Sequence, residues 1–229
     1  MMKGGMQRAP AISPRQRRRR YIKIGETMAL QLAILTIALT AAGRAQDQGA
    51  VTPQQVQAKL AYCEICHGVD AQGFHGYYPI PRLAGQQITY IENELTGFVE
   101  HKRTNIIMFN VGHVLSPAMI RGLATDFHNL NPKPLSDGPK DLVPTGNKIF
   151  HEGVSDAGVP PCASCHGPEA KGDGQFPRLA GQLYPYIVDQ LSNWSNERGE
   201  INANVMEPIA HNLRPEQIKA VAAYLSHLE

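Results

Sequence analysis

Apolar residues along the chain recur mostly at spacings of three and four, the period of a half-buried helix. Thr89–Glu100 and Tyr184–Asn196 carry this pattern, and Ser116–His128 and Arg214–Leu228 close in it. Thr52-Pro53 supplies a helix start ahead of Gln54–Tyr62, with proline at the favoured first position. Period-two runs are weak throughout, so the pattern predicts an all-α protein. One apolar run differs. Met28 to Ala42, interrupted by Gln31, is almost continuously apolar yet shorter than the roughly 18 residues expected of a membrane span.

The pattern repeats itself. Cys63-Glu64-Ile65-Cys66-His67-Gly68 returns as Cys162-Ala163-Ser164-Cys165-His166-Gly167, and Pro81-Arg82-Leu83-Ala84-Gly85-Gln86 returns unchanged as Pro177 to Gln182. Met108 with Leu115 matches Met206 with Leu213. The offsets are 99, 96 and 98 residues, so only small loop insertions separate the copies. Three ordered blocks define two tandem units of one fold. Between them, Asn131-Pro132-Lys133-Pro134-Leu135-Ser136-Asp137-Gly138-Pro139 can continue neither helix nor strand. The expected organisation is an N-terminal segment 1–45, a first domain 46–131, a linker 132–140 and a second domain 141–229. Domains this small commonly need an added staple.

Charge changes the reading of the N-terminus. Of the 22 basic residues nine lie within residues 1–45, against a single acid, Glu26. The basic run Arg17–Arg20, the apolar run and Gly43-Arg44-Ala45 together make a signal peptide, with an uncleaved membrane anchor as the alternative. Export to the periplasm, in soluble or membrane-associated form, is expected. The body left behind is acidic by six charges. That balance argues against nucleic-acid binding and favours docking to basic surfaces.

All four cysteines fall in the two Cys-x-x-Cys-His motifs, the signature of covalent haem c. Two thiols three positions apart reach the two vinyl groups of one haem, and the adjacent histidine presents a ring nitrogen to the iron. Disulfides would explain the even count but not the histidine after each pair. A zinc site would require pairs closer than these, and a redox dithiol would require a βαβ setting. Two covalent haems follow, at Cys63 and Cys66 and at Cys162 and Cys165, with His67 and His166 beside the irons.

Each iron needs a second axial ligand. Met108 and Met206 occupy matching places in loop-like sequence ahead of each terminal helix. Thioether ligation raises the potential relative to a second imidazole. A competitor exists, since His113 and His211 also match, each five residues after its methionine. His75, His101, His128, His151 and His227 have no such match and read as surface residues. The Pro81 and Pro177 carbonyls are suited to accept the free ring N–H of the proximal histidines. Arg82 and Arg178 are candidates to pair with haem propionates, or are solvated loop residues.

With these residues the chain resembles the cytochrome c4 type of dihaem class I cytochrome c. Gly146 to Gly153 and Val159-Pro160-Pro161 before the second motif add to the likeness, which spans residues 50–229. The resemblance implies that the first and last helices of each unit cross around a haem. It further implies His67 and His166 as proximal ligands, Met108 and Met206 as distal ones, and Pro81 and Pro177 as holders of the histidines. It makes the chain an electron carrier rather than an enzyme. The implied donor is a quinol–cytochrome c oxidoreductase or a dehydrogenase, and the acceptor a terminal oxidase. The runner-up is the electron-accepting dihaem subunit of a dehydrogenase complex. A dihaem peroxidase, which needs an open iron, sits poorly with the paired methionines. The first unit departs from the second by an aromatic insertion, Phe74 to Ile80, where the second has only Asp173 to Phe176. The unequal loops suggest haems of unequal potential.

Overall fold

The computed structural model describes residues 50–198 and 203–229. The expected signal segment, 1–45, therefore lies outside the described residues. Helix α1 (Pro53–His67) begins at a capping box in which the Thr52 hydroxyl accepts from Gln55 N–H and the Gln55 side chain accepts from Thr52 N–H. It runs straight through the first haem motif. Then come α2 (Ile88–Val99), α3 (Ile106–Gly112) and α4 (Pro117–Asn129), the last capped by Ser116. The second unit repeats the order with α5 (Val143–Glu152), α6 (Ala163–His166), α7 (Tyr184–Ser192), α8 (Trp194–Glu197), α9 (Ala203–Asn212) and α10 (Pro215–Ser226). Extended pairing among the described residues is confined to isolated bridges such as Phe74 with Ile80 and Asp173 with Phe176.

Two expectations change here. The helix expected over Tyr184–Asn196 breaks at Asn193 into α7 and α8. The methionines sit on short helices rather than in loops. Helix α3 has only seven residues, too few to display a period, and Asn105 caps it by accepting from Ile107 and Met108 N–H. Helix α9 contains Pro208, a residue that normally argues against helix.

The units have separate cores. In the first, Val56 and Leu60 of α1 meet Ile91 and Leu95 of α2 and Leu123, Ala124 and Phe127 of α4. In the second, Ile149 and Phe150 of α5 meet Ile187 of α7 and Ile218, Val221, Ala222 and Leu225 of α10. The first and last helices of each unit approach closely enough to demand glycine. A Cβ on Gly146 would lie 2.0 Å from the Ala220 carbonyl oxygen of α10, and one on Gly122 of α4 would lie 2.8 Å from Cγ2 of Val56. The segment between the units is itself docked, with Gly138 packed on Ala223 and its N–H donating to the Ser226 hydroxyl at 3.2 Å.

Candidate haem site

Each haem motif ends in a left-handed glycine, Gly68 (φ +80°) or Gly167 (φ +78°), which stops the helix and turns the chain back under the histidine. The loop closes identically in both units. Gly73 N–H donates to the His67 carbonyl at 2.8 Å and Gly172 N–H to that of His166 at 2.9 Å. Ala71 and Ala170, both fully buried, then accept from Leu83 and Ala84 and from Leu179 and Ala180. These bonds hold each Pro-Arg-Leu-Ala-Gly-Gln block against its motif.

The result is a fixed imidazole. His67 Nδ1 lies 2.8 Å from the Pro81 carbonyl oxygen and His166 Nδ1 lies 3.0 Å from that of Pro177. A carbonyl can only accept, so Nδ1 carries the proton and Nε2 keeps its lone pair. Burial holds both rings below the usual histidine pKa, opposed by the proline carbonyls, and for His67 nearby Arg103 adds to the lowering. Each ring is therefore a neutral donor at neutral pH. The thiols divide alike. Cys63 and Cys162 are half-buried, packed on their cores and pushed up to about 11 by burial, while Cys66 and Cys165 are exposed.

Met108 is half-buried and packs on the first core beside Cys63, Leu83 and Leu115. Met206 is half-buried on α9. Their competitors point elsewhere. His113 is exposed, its Nδ1 3.1 Å from the carbonyl of Phe109 on its own helix and its ring stacked on that phenylalanine. His211 is exposed at the edge of a cavity of about 310 Å³ lined also by Trp194, Glu207, Leu213 and Ile218. Of the histidines expected at the surface, His128 and His151 are exposed and His227 is half-buried, and all three also bond main-chain carbonyls. His128 Nδ1 bonds Gln86 at 2.9 Å and His227 Nε2 bonds Gly138 at 2.8 Å.

Arg82 is no solvated loop residue, with only 3% of its surface exposed. Its Nε donates to Ala84 and one terminal nitrogen to Pro132, while Nη1 is buried without a partner. Burial, then the neighbouring Arg178, brings it down to about 10, so it stays charged at neutral pH. Arg178 is half-buried and repeats the Nε bond, to Ala180. An orphaned buried cation, paired thiols and two neutral imidazoles with free Nε2 fit an acidic macrocycle with a central iron.

Sequence reasoning missed the polar contacts between the units. Gln182 bonds both polar backbone atoms of Arg82, and Gln86 does the same to Arg178. A buried ionic cluster also joins the units. Arg198 Nη1 contacts both oxygens of Glu94 at 2.7 Å, and Arg103 pairs with the same carboxylate. The arginines also cross over, Arg103 donating to Tyr186 Oη at 2.8 Å and Arg198 to Tyr90 Oη at 3.0 Å. Gln190 accepts from both and donates to Glu197. Burial pushes the Glu94 carboxyl up, but Arg198 and then Arg103 outweigh it and hold it below the usual range. The 96-residue offset of Tyr90 and Tyr186 equals that of the Pro-Arg-Leu-Ala-Gly-Gln blocks, which marks the tyrosines as matching positions of the repeat without marking them as contacts.

First and last helices packed on each other beside a buried, proline-held histidine, made twice in one chain, define a dihaem class I cytochrome c. The cytochrome c family model matches residues 145–229. Cytochrome c-552 of Acidithiobacillus ferridurans is 38% identical, covering 88% of this chain and 87% of that protein. The thiosulfate dehydrogenase electron acceptor of Thiomonas intermedia is 34% identical, covering 73% and 79%. The cytochrome c4 structure from Acidithiobacillus ferrooxidans superposes with a TM-score of 0.65 at 39% identity, over 73% of this chain and 99% of that one. The chain belongs to the cytochrome c4 family. It carries two covalent haem c groups, one at Cys63 and Cys66 and one at Cys162 and Cys165, and it transfers electrons rather than catalysing a reaction.

Proposed function

We propose that His67 with Met108, and His166 with Met206, are the axial pairs, and that the protein is a periplasmic shuttle delivering single electrons to a terminal oxidase. The observation that carries the ligand assignment is the contrast in burial. The proximal imidazoles are buried, neutral and fixed by Pro81 and Pro177, and the methionines are half-buried, whereas His113 and His211 are exposed.

The haem supplies one-electron exchange at its iron. The chain supplies the rest. Pro81 and Pro177 fix the ring orientation and raise its basicity. Arg82, with Nη1 unpartnered, offers a charged donor to a propionate, and Arg178 is its counterpart. The methionine thioethers set a high potential suited to a donor near oxygen. The basic and apolar N-terminal segment supports export, or retention at the membrane.

The test is oxidation of the reduced protein by membranes containing a haem–copper oxidase, followed by stopped-flow absorbance. Rapid, salt-sensitive oxidation is expected, and failure to react at low ionic strength would remove the oxidase as acceptor. On the donor side, the similarity to a thiosulfate dehydrogenase electron acceptor supports a second reading, in which a periplasmic dehydrogenase reduces this chain directly. Reduction by such an enzyme and its substrate, with no quinol present, is the outcome expected of that reading.

A further inference from the structure

Pro81 and Arg82 share one peptide group, and that group faces two partners. Its carbonyl accepts from His67 Nδ1 at 2.8 Å, while its N–H donates to Gln182 Oε1 at 2.8 Å. Gln182 belongs to the other unit. Its Nε2 donates back to the Arg82 carbonyl at 3.0 Å, and its Oε1 also accepts from Leu183 N–H at 3.0 Å, so both ends of the buried amide are engaged. The second unit mirrors this. The Pro177–Arg178 peptide accepts from His166 at 3.0 Å and donates to Gln86 Oε1 at 2.7 Å, and Gln86 Nε2 donates to the Arg178 carbonyl at 3.0 Å. Gln86 is equally buried, its Oε1 also accepting from Gln87 N–H at 2.9 Å.

We infer that each glutamine is a positioning residue for the haem of the opposite unit: Gln182 tunes the iron beside His67, and Gln86 tunes the iron beside His166. The inference rests on the assignment of these histidines as axial ligands. An amide whose N–H is bonded carries more negative charge on its oxygen, because hydrogen bonds through one peptide polarise each other. The stronger acceptor draws the Nδ1 proton further from the ring. The ring then donates more to the iron and favours the ferric state. The bond from the opposite unit therefore lowers the potential of the haem it serves, and any separation of the units reaches both irons through the same two side chains.

The test is a spectroelectrochemical titration of the dihaem protein, its two steps assigned to their haems by paramagnetic NMR. In Q182L the first haem shifts towards the reduced form, by about threefold in its reduced-to-oxidised ratio at fixed potential, while the second stays put. In Q86L the pattern reverses. Q182E keeps an acceptor for Arg82 N–H and gives no shift towards the reduced form. If Q182L fails to hold both haems, Q86L and Q182E decide the matter. A shift confined to the mutated unit's own haem, an equal shift in both, or none would overturn the inference. The same spectra separate this from the ligand assignment. Hyperfine-shifted ring protons from His67 and His166 must be present in the unmutated protein, and their absence would sink both claims. Their presence with unmoved potentials would sink only the tuning by glutamine.

Discussion

Arg198 of the second unit places Nη1 2.7 Å from both carboxylate oxygens of Glu94 in the first, with side-chain exposures of 4% and 7%. A buried ion pair of this kind adds modestly to stability while intact, because desolvation offsets much of the attraction. Removing one partner is another matter, since it leaves charge buried and uncompensated. Here Glu94 serves two arginines, so its loss strands both.

E94Q should therefore destabilise the protein by about 3–5 kcal/mol, measured by chemical denaturation of the holoprotein. The pH dependence follows from the direction of the shift. The folded Glu94 carboxyl is held below its ordinary value of 4.5, so its contribution is complete above that pH and lost as pH falls through the lower folded value. The unmutated protein should lose stability steeply below about pH 4.5, and E94Q should show a flatter acid limb. Parallel acid limbs would mean that Glu94 is not the group responsible.

The methionines make a second prediction. M108A and M206A should each remove about half of the far-red absorption of the oxidised protein, since one methionine–iron bond is lost in each. H113A and H211A should leave the band intact, because both rings are exposed and one bonds its own helix. If the oxidised unmutated protein has no far-red band, or if M108A and M206A leave the band unchanged, the axial assignment is wrong.

The helix crossings rank themselves. G146A must displace the backbone carbonyl of Ala220, whereas G122A meets only the end of the Val56 side chain. Overpacking typically costs 1–3 kcal/mol, so G146A should cost at least about 3 kcal/mol and G122A about 1 kcal/mol. Thermal unfolding of the two variants checks the order, and equal losses would contradict it.

Much of this architecture was legible in the sequence because its signals are local. Thr52-Pro53 announces α1, and the apolar spacing of Ile91, Leu95 and Phe98 announces the buried face of α2. The Cys-x-x-Cys-His motifs announce the haems. Helices α3 and α9 stayed hidden, the first too short to show a period and the second disguised by Pro208. The contacts between units were hidden for a different reason. Gln86 and Gln182 read as the polar ends of loop blocks, and nothing in the spacing of a repeat says that each copy grips the other. The same holds for Glu94, which sits on an otherwise apolar face and is explained only by arginines 9 and 104 residues away.

The central claim is that two methionine-ligated haems, one in each unit, exchange single electrons. A redox titration of the purified protein followed in the far red tests it most directly. The account predicts two reversible one-electron steps, each removing half of the methionine–iron band on reduction. A single step, or a titration of two haems with no far-red band in the oxidised state, would contradict it.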